Sequence, residues 1–419
     1  MLGTLRQCFV ENRWWDAVFV IYLMLFCIDL VFLQHGRIGS ELGFSVRQIV
    51  FLLLMLTALG NSLRLPQIPL STISALLILG VIVPVCWGTL GYLGGNLLPD
   101  IVNDANGHVF YLLGFALLLG YRFETRVFME FAMSLVLVLC AGCLLAYGYA
   151  LTGVDQAIGV ETFLREGNLG FFNVFVDGRP YRLFLSSFLL VPIMVCFGLQ
   201  RIIVHWRAAR MTDLKGLAFV VVGLGTLLIS QTRSLWLGLI VGVLVILLAG
   251  YRRMSPRIVL GIGLMAVFCA SALLYFVPSL LRLTDVDGNV NMRLEQAVIL
   301  FNLFTQQPWL GWGFGSVVDL SLITPRPPSF SHEMDLIDLL RKVGLIGASL
   351  YGMAYVLMLR IALQLYQIDP DAQEVTLFLM TLGVVFSVGF FNPYVTASIG
   401  IGAVLLAFVP MAVRLRNQT

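Results

Sequence analysis

Apolar runs of bilayer-spanning length recur from one end of this 419-residue chain to the other, and no other feature constrains its fold as tightly. A helix crossing about 30 Å of hydrocarbon needs about 20 predominantly apolar residues. Such runs lie near 15–33, 44–63, 69–90, 108–121, 127–152, 181–200, 216–232, 235–251, 258–278, 343–363, 375–392 and 395–413. They are continuously apolar rather than alternating, which selects helices over a barrel. The fourth is short, as a tilted, broken or re-entrant segment would be. Composition agrees: 59% of residues are hydrophobic and only 12% charged, with a mean hydropathy of +0.94. A soluble domain carries about 25% charged residues. A soluble enzyme, a disordered scaffold or a secreted disulfide module does not fit these numbers. The net charge of +3 is too small and too dispersed for a nucleic-acid partner. The expected fold is all-α, a polytopic membrane helix bundle of about twelve spans.

Six of the seven cysteines (Cys27, Cys86, Cys140, Cys143, Cys196 and Cys269) sit inside apolar runs, where a thiol behaves as a small hydrophobe. Neither a disulfide framework nor a zinc site is indicated. The first run exceeds the roughly 7–15 residues of a signal-peptide core and no small-residue cleavage site follows it, so it reads as a retained helix. Arginine in short loops sets the orientation. With both termini in the cytoplasm, 15 of the 26 basic residues fall inside, and 14 of the 23 acidic ones fall outside. Two outer segments, near 153–180 and 279–342, are then too long for simple turns. The chain divides into membrane helices over 1–278, an outer cap loop over 279–342 that is expected to be partly helical, and further membrane helices over 343–419.

Charged groups near a bilayer are expensive, so each invites a functional reading. Arg233, in Ser230-Gln231-Thr232-Arg233-Ser234, falls at an outer turn between two closely spaced runs. Arg179 and Arg182, in Gly178-Arg179-Pro180-Tyr181-Arg182, fall where the first outer loop meets a run. Interfacial arginines that snorkel to lipid headgroups account for either group taken alone. Their shared outer side, against the usual inward bias, points instead to an anion site. The guanidinium fork suits phosphate because it stays charged and donates two parallel hydrogen bonds. A third group follows Pro327-Pro328. Ser329 to Lys342 reads as an amphipathic helix with Met334, Ile337 and Leu340 on one side and His332, Asp335 and Asp338 towards the other. Ser331 is placed to cap it and Glu333 lies in its first turn. His332 is then either a base near the helix N-terminus or a residue that only bonds backbone in a solvated helix. No HExxH, paired-Asp or Cys/His cluster is present, nor a GxxxxGK[ST] loop, so neither a metal nor a nucleotide cofactor is expected.

The order of these pieces resembles the bacterial O-antigen ligase and O-antigen polymerase superfamily of integral membrane proteins. The Gln231-Thr232-Arg233-Ser234 turn precedes a large outer loop. In that loop Met292-Arg293-Leu294-Glu295 opens a helix that leads to Gln307-Pro308-Trp309-Leu310-Gly311-Trp312-Gly313-Phe314-Gly315. His332 follows, and then Lys342-Val343-Gly344-Leu345-Ile346-Gly347, similar to the family's G-[LI]-[LIM]-G opening of the next span. The likeness covers roughly 180–360. It departs where many members carry Asn after the histidine and this chain has Glu333.

The resemblance implies a GT-C-like glycosyltransferase in the bacterial inner membrane, its active site facing the periplasm. The donor would be a glycan on a polyprenyl diphosphate. The acceptor would be lipid A–core for a ligase or the next lipid-linked repeat unit for a polymerase. The implied reaction is metal-independent and inverting. His332 would be the base, with Glu333 or Asp335 orienting it or Glu333 itself the base. Arg233, Arg179 and Arg182 would bind the diphosphate. Arg293 would be a further candidate, with a salt bridge pinning the cap as its other reading. A transporter or flippase of lipid-linked glycans is the alternative, although such carriers place their charges near the midplane, where only Asp29 falls here. A noncatalytic scaffold for envelope assembly is a third.

Overall fold

The computed structural model describes residues 14–33, 70–120, 125–166, 170–174, 180–209, 213–250, 283–320, 332 and 334–418, with single positions at 6, 8, 10, 11, 49, 52, 53, 55 and 56. Helix α1 (Trp14–Ile28) runs into a π-helical turn, Asp29–Leu33. Helix α2 (Leu70–Leu93) contains a second π-helical stretch, Ile78–Ile82, just before Pro84. Then come α3 (Leu98–Gly120), α4 (Thr125–Ala150), α5 (Val154–Glu166) and an antiparallel hairpin of β1 (Gly170–Val174) and β2 (Pro180–Leu185). A 3₁₀ turn, Ser186–Leu189, opens α6 (Leu190–Ala209), followed by α7 (Leu214–Ser230), α8 (Arg233–Gly250) and α9 (Leu283–Gln306). The chain ends in α10 (Asp335–Ile368), α11 (Gln373–Gly389) and α12 (Ser398–Gln418).

The all-α membrane class holds. Among the described residues five helical segments are long and apolar enough to cross a membrane: Leu70–Leu93, Val127–Ala150, Ser186–Trp206, Asp335–Ile368 and Ser398–Gln418. Leu214–Ser230, Arg233–Ala249 and Gln373–Gly389 are shorter apolar helices. The runs expected near 44–63 and 258–278 lie outside the described residues, apart from the single positions in the first.

Three expectations change. The run read as a span from 181 begins as strand β2, because Leu183 and Leu185 alternate with Arg182 and Phe184 and pair with β1. The short fourth run is part of a 23-residue helix. Its first turns carry Asp100, Asn103 and Asp104, which hide the helix from a hydropathy reading. The helix expected to open at Ser331 starts at Asp335, with Met334 at its N-cap and no side-chain cap. Asp335 and Asp338 are buried rather than solvated.

Helix α12 is the hub of the bundle. Every residue from Ile399 to Val413 is buried, as expected for a helix that is apolar on all sides. It packs against α3 and α11, and α8 packs against α11. Small residues permit the closest crossings, as in membrane bundles generally. At the α6–α7 crossing, a Cβ on Gly198 would lie 2.7 Å from the carbonyl oxygen of Gly216.

Helix α10 is broken at Gly344 (φ 61°, ψ −171°), and the segment after α9 repairs the break. Leu345 and Ile346 donate their amides to the carbonyls of Pro308 and Trp309, at 2.8 and 3.1 Å. The carbonyls of Arg341 and Lys342 accept from the amides of Trp312 and Gly313, at 3.1 and 2.9 Å. Four backbone groups that the break would orphan are thus satisfied. Irregular backbone within a membrane bundle is tolerated only under that condition.

Candidate functional site

A cavity of about 580 Å³ opens where α8, α9, the start of α10 and the turn after α11 meet. It is lined by Arg233, Ser234, Leu237, Arg293, Leu294, Ala297, Met334, Ile337, Phe390 and Phe391. The charged side chains in that wall are two arginines, and most of the remainder is apolar. The chamber therefore suits an anion joined to an apolar body. Among the described residues no three His, Cys, Asp or Glu side chains converge as metal ligands would.

Each wall is held by a different device. Arg233 is the first residue of α8, so its guanidinium stands beside the partial positive charge of a helix N-terminus. Arg293 lies on α9 rather than at its start. Leu300 of α9 packs with Val318, Leu320 and Met334, and Ala297 and Ile337 pack against them. This small satellite core fixes the Arg293 face of α9 against the start of α10. His332 is buried, two residues before the lining residue Met334, and within electrostatic reach of Asp338. Phe390 and Phe391 stack edge to face with centroids 5.0 Å apart.

Buried charges lock the base of the site. Lys342 Nζ contacts Asp104 at 2.8 Å and Asp338 at 2.9 Å. Arg341 donates to Asp338 at 2.9 Å, and to the hydroxyl and carbonyl oxygens of Ser316 at 2.8 and 3.0 Å. Asp104 also accepts the Gly315 amide at 2.9 Å. Helix α3, the glycine-rich segment and α10 are therefore tied through one network in which each charge has a partner, the condition for burying ions without large cost. Asp335 accepts from the amides of Val395 and Thr396 and from the Thr396 hydroxyl, at 2.7, 3.1 and 2.7 Å. It thereby pins the turn that presents the two phenylalanines.

Of the residues singled out from the sequence, Arg233 and Arg293 share the cavity, and His332 is buried two residues before the lining residue Met334 without itself lining it. Asp335 supports the far wall. Arg182 is not among the lining residues; it donates to the Ser230 carbonyl and the Thr232 hydroxyl at 3.1 and 3.0 Å. Arg179 and Glu333 lie outside the described residues. Phe390, Phe391 and Asn392 were missed, because they close one apolar run and the polar signal there, Asn392-Pro393, reads as a simple turn. Asp104 was missed because its partner Lys342 is 238 residues away.

Fold and site together define a multi-pass membrane protein with an arginine-walled chamber. Residues 218–352 match a family model described as O-antigen ligase, a stretch that contains Arg233, Arg293 and His332. The match covers about a third of the chain, and over that stretch the protein is similar to O-antigen ligases. No curated protein matches the chain.

Proposed function

We propose that the protein is a glycosyltransferase of GT-C type that moves a glycan from a polyprenyl diphosphate to an acceptor hydroxyl at the periplasmic face of the inner membrane. The observation that carries this reading is the cavity that Arg233 and Arg293 share with Met334 and Ile337 at the start of α10. The acceptor oxygen attacks the anomeric carbon of the donor sugar. The bond from that carbon to the phosphate oxygen breaks, and its electron pair leaves with the lipid diphosphate. The acceptor proton passes to His332. One direct displacement inverts the anomeric centre.

The chemical demand falls on the leaving group. Two guanidiniums and a helix N-terminus offer fixed positive charge where diphosphate charge grows, and preorganised donors of this kind are often the largest catalytic term. No metal ion is needed for that role. The apolar remainder of the wall accommodates the first part of the lipid. A histidine base typically contributes about 10²–10⁴ in rate.

The test is direct. Purified protein, supplied with a lipid-linked glycan donor and an acceptor, forms a glycosidic bond and releases polyprenyl diphosphate. Transport of the intact lipid-linked glycan without bond formation would refute the reading in favour of a flippase. In a deletion strain, lipid A–core without long chains, together with accumulated lipid-linked polymer, identifies a ligase. Single repeat units on the core, or loss of exopolysaccharide, identify a polymerase.

A further inference from the structure

We infer that Arg182 is a positioning residue: it clamps the turn that launches Arg233 and acts on the anion through Arg233 rather than by touching it. The inference deepens the function proposed above and rests on it.

The Ser230–Ser234 turn carries local bonds of its own, the Thr232 amide donating to Ser230 Oγ at 3.4 Å and the Leu235 amide to the Thr232 carbonyl at 3.1 Å, and Arg182 adds to them from outside. Ser230 ends α7, where the last carbonyls have no intrahelical partner. Gln231 sits in the left-handed region at φ 47°, a conformation that few non-glycine residues hold without outside support. Arg182 supplies that support. Its Nε donates to the Ser230 carbonyl at 3.1 Å and its Nη2 to Thr232 Oγ1 at 3.0 Å. Thr232 Oγ1 in turn donates to the Ser230 carbonyl at 3.0 Å, which closes a ring of three hydrogen bonds across Gln231. Thr232 is buried, and the next residue is Arg233.

The guanidinium is itself held by its hairpin. It lies 5.0 Å from the ring centroid of Phe171 and 5.5 Å from that of Phe184, and the two rings stack with centroids 5.1 Å apart. β1 and β2 therefore form an aromatic platform that carries one cation to the end of α7. A cation there also complements the helix dipole. On the other side of Arg233 in the sequence, Asn392 Nδ2 donates to Ser234 Oγ at 2.6 Å. Arg233 thus issues from a turn gripped on both flanks. Arginine suits both acceptors because its fork donates in two fixed directions.

The test is a double-mutant cycle on the full-length protein, with a measurement of the turn itself beside it. Arg182→Ala is expected to lower turnover at saturating donor by about 10–100-fold, the range a displaced catalytic group produces. Placed in Arg233→Ala, it is expected to have no further effect beyond about twofold, because its target is gone. Losses that multiply would show that Arg182 grips the anion itself and would overturn the inference. Thr232→Val removes only the hydroxyl and should lower turnover in the same direction, by less. It takes the place of Arg182→Ala in the cycle should that variant fail to fold.

Hydrogen exchange needs no substrate. Amides 231–235 should exchange faster in Arg182→Ala and in Thr232→Val, with α11 unchanged. Unaltered exchange there overturns the clamp. Full activity of Arg233→Ala would refute the proposed site, and with it any catalytic purpose for the clamp, whatever the exchange result.

Discussion

Gly344→Ala tests the way the cap segment is knitted into the bundle. At φ 61° and ψ −171° the backbone lies in a region that belongs essentially to glycine, so alanine costs about 1–3 kcal/mol. Its Cβ would also fall 2.4 Å from the Trp309 carbonyl oxygen and 2.6 Å from the Gly311 amide nitrogen. The segment must retreat, which loosens the bonds that Leu345 and Ile346 make to Pro308 and Trp309. Each is worth about 0.5–1.5 kcal/mol net. The total is about 2–6 kcal/mol, a large part of the roughly 5–15 kcal/mol that holds a typical domain together. Tryptophan fluorescence on heating the detergent-solubilised protein should show a melting point lower by roughly 2–7 °C. Gly352 provides the control on the same helix: a Cβ there meets nothing within 4 Å. Gly352→Ala should leave the melting point unchanged or raise it slightly, since alanine favours a helix by up to about 1 kcal/mol. A Gly344→Ala protein that melts within about 1 °C of wild type would refute the reasoning.

Three further outcomes follow from the same contacts. Lys342→Met leaves Asp104 and Asp338 without their shared ammonium and should cost about 3–5 kcal/mol in thermal unfolding; adding Asp104→Asn should recover part of the loss. Asp335→Ala removes a carboxylate that accepts three hydrogen bonds from Val395 and Thr396. It should lower stability by about 1.5–3 kcal/mol or more, with Asp335→Asn milder. Partial burial pushes the Asp213 carboxyl up. The hydrogen bond from Arg201, a backbone bond from Gly216 and the charges of Arg201 and His205 outweigh it and hold the group below the usual carboxylate range. A depressed folded value contributes stability above the unfolded value and loses it as pH falls through the folded one. Melting points measured from pH 6 down to about pH 3 should therefore fall less steeply for Asp213→Asn than for wild type.

The membrane class was legible because hydrophobic length is a one-dimensional property. Segments such as 127–152 and 395–413 need no partner to be recognised. The hairpin was not legible, since Arg182-Leu183-Phe184-Leu185 alternates too briefly before a longer apolar run absorbs it. The start of α3 was hidden by polar residues whose partner, Lys342, lies far along the chain. Arg233, Arg293 and His332 could each be picked out by position and local pattern. The meeting of the two arginines could not, because it depends on how α8 and α9 pack. Arg182 was visible as an outer arginine, but its hydrogen bonds to Ser230 and Thr232 exist only in three dimensions. Asp335 and Asp338 had the spacing of a solvated helix face, and tertiary burial overrode it.

Under the proposed function Arg233 stabilises the departing diphosphate. Single-turnover transfer with saturating lipid-linked donor measures this most directly, because it isolates bond cleavage from binding and product release. Arg233→Ala should slow transfer by about 10²–10³-fold in a protein that melts as wild type does. A rate within about threefold of wild type would contradict the account, for no anion hole loses a principal donor so cheaply.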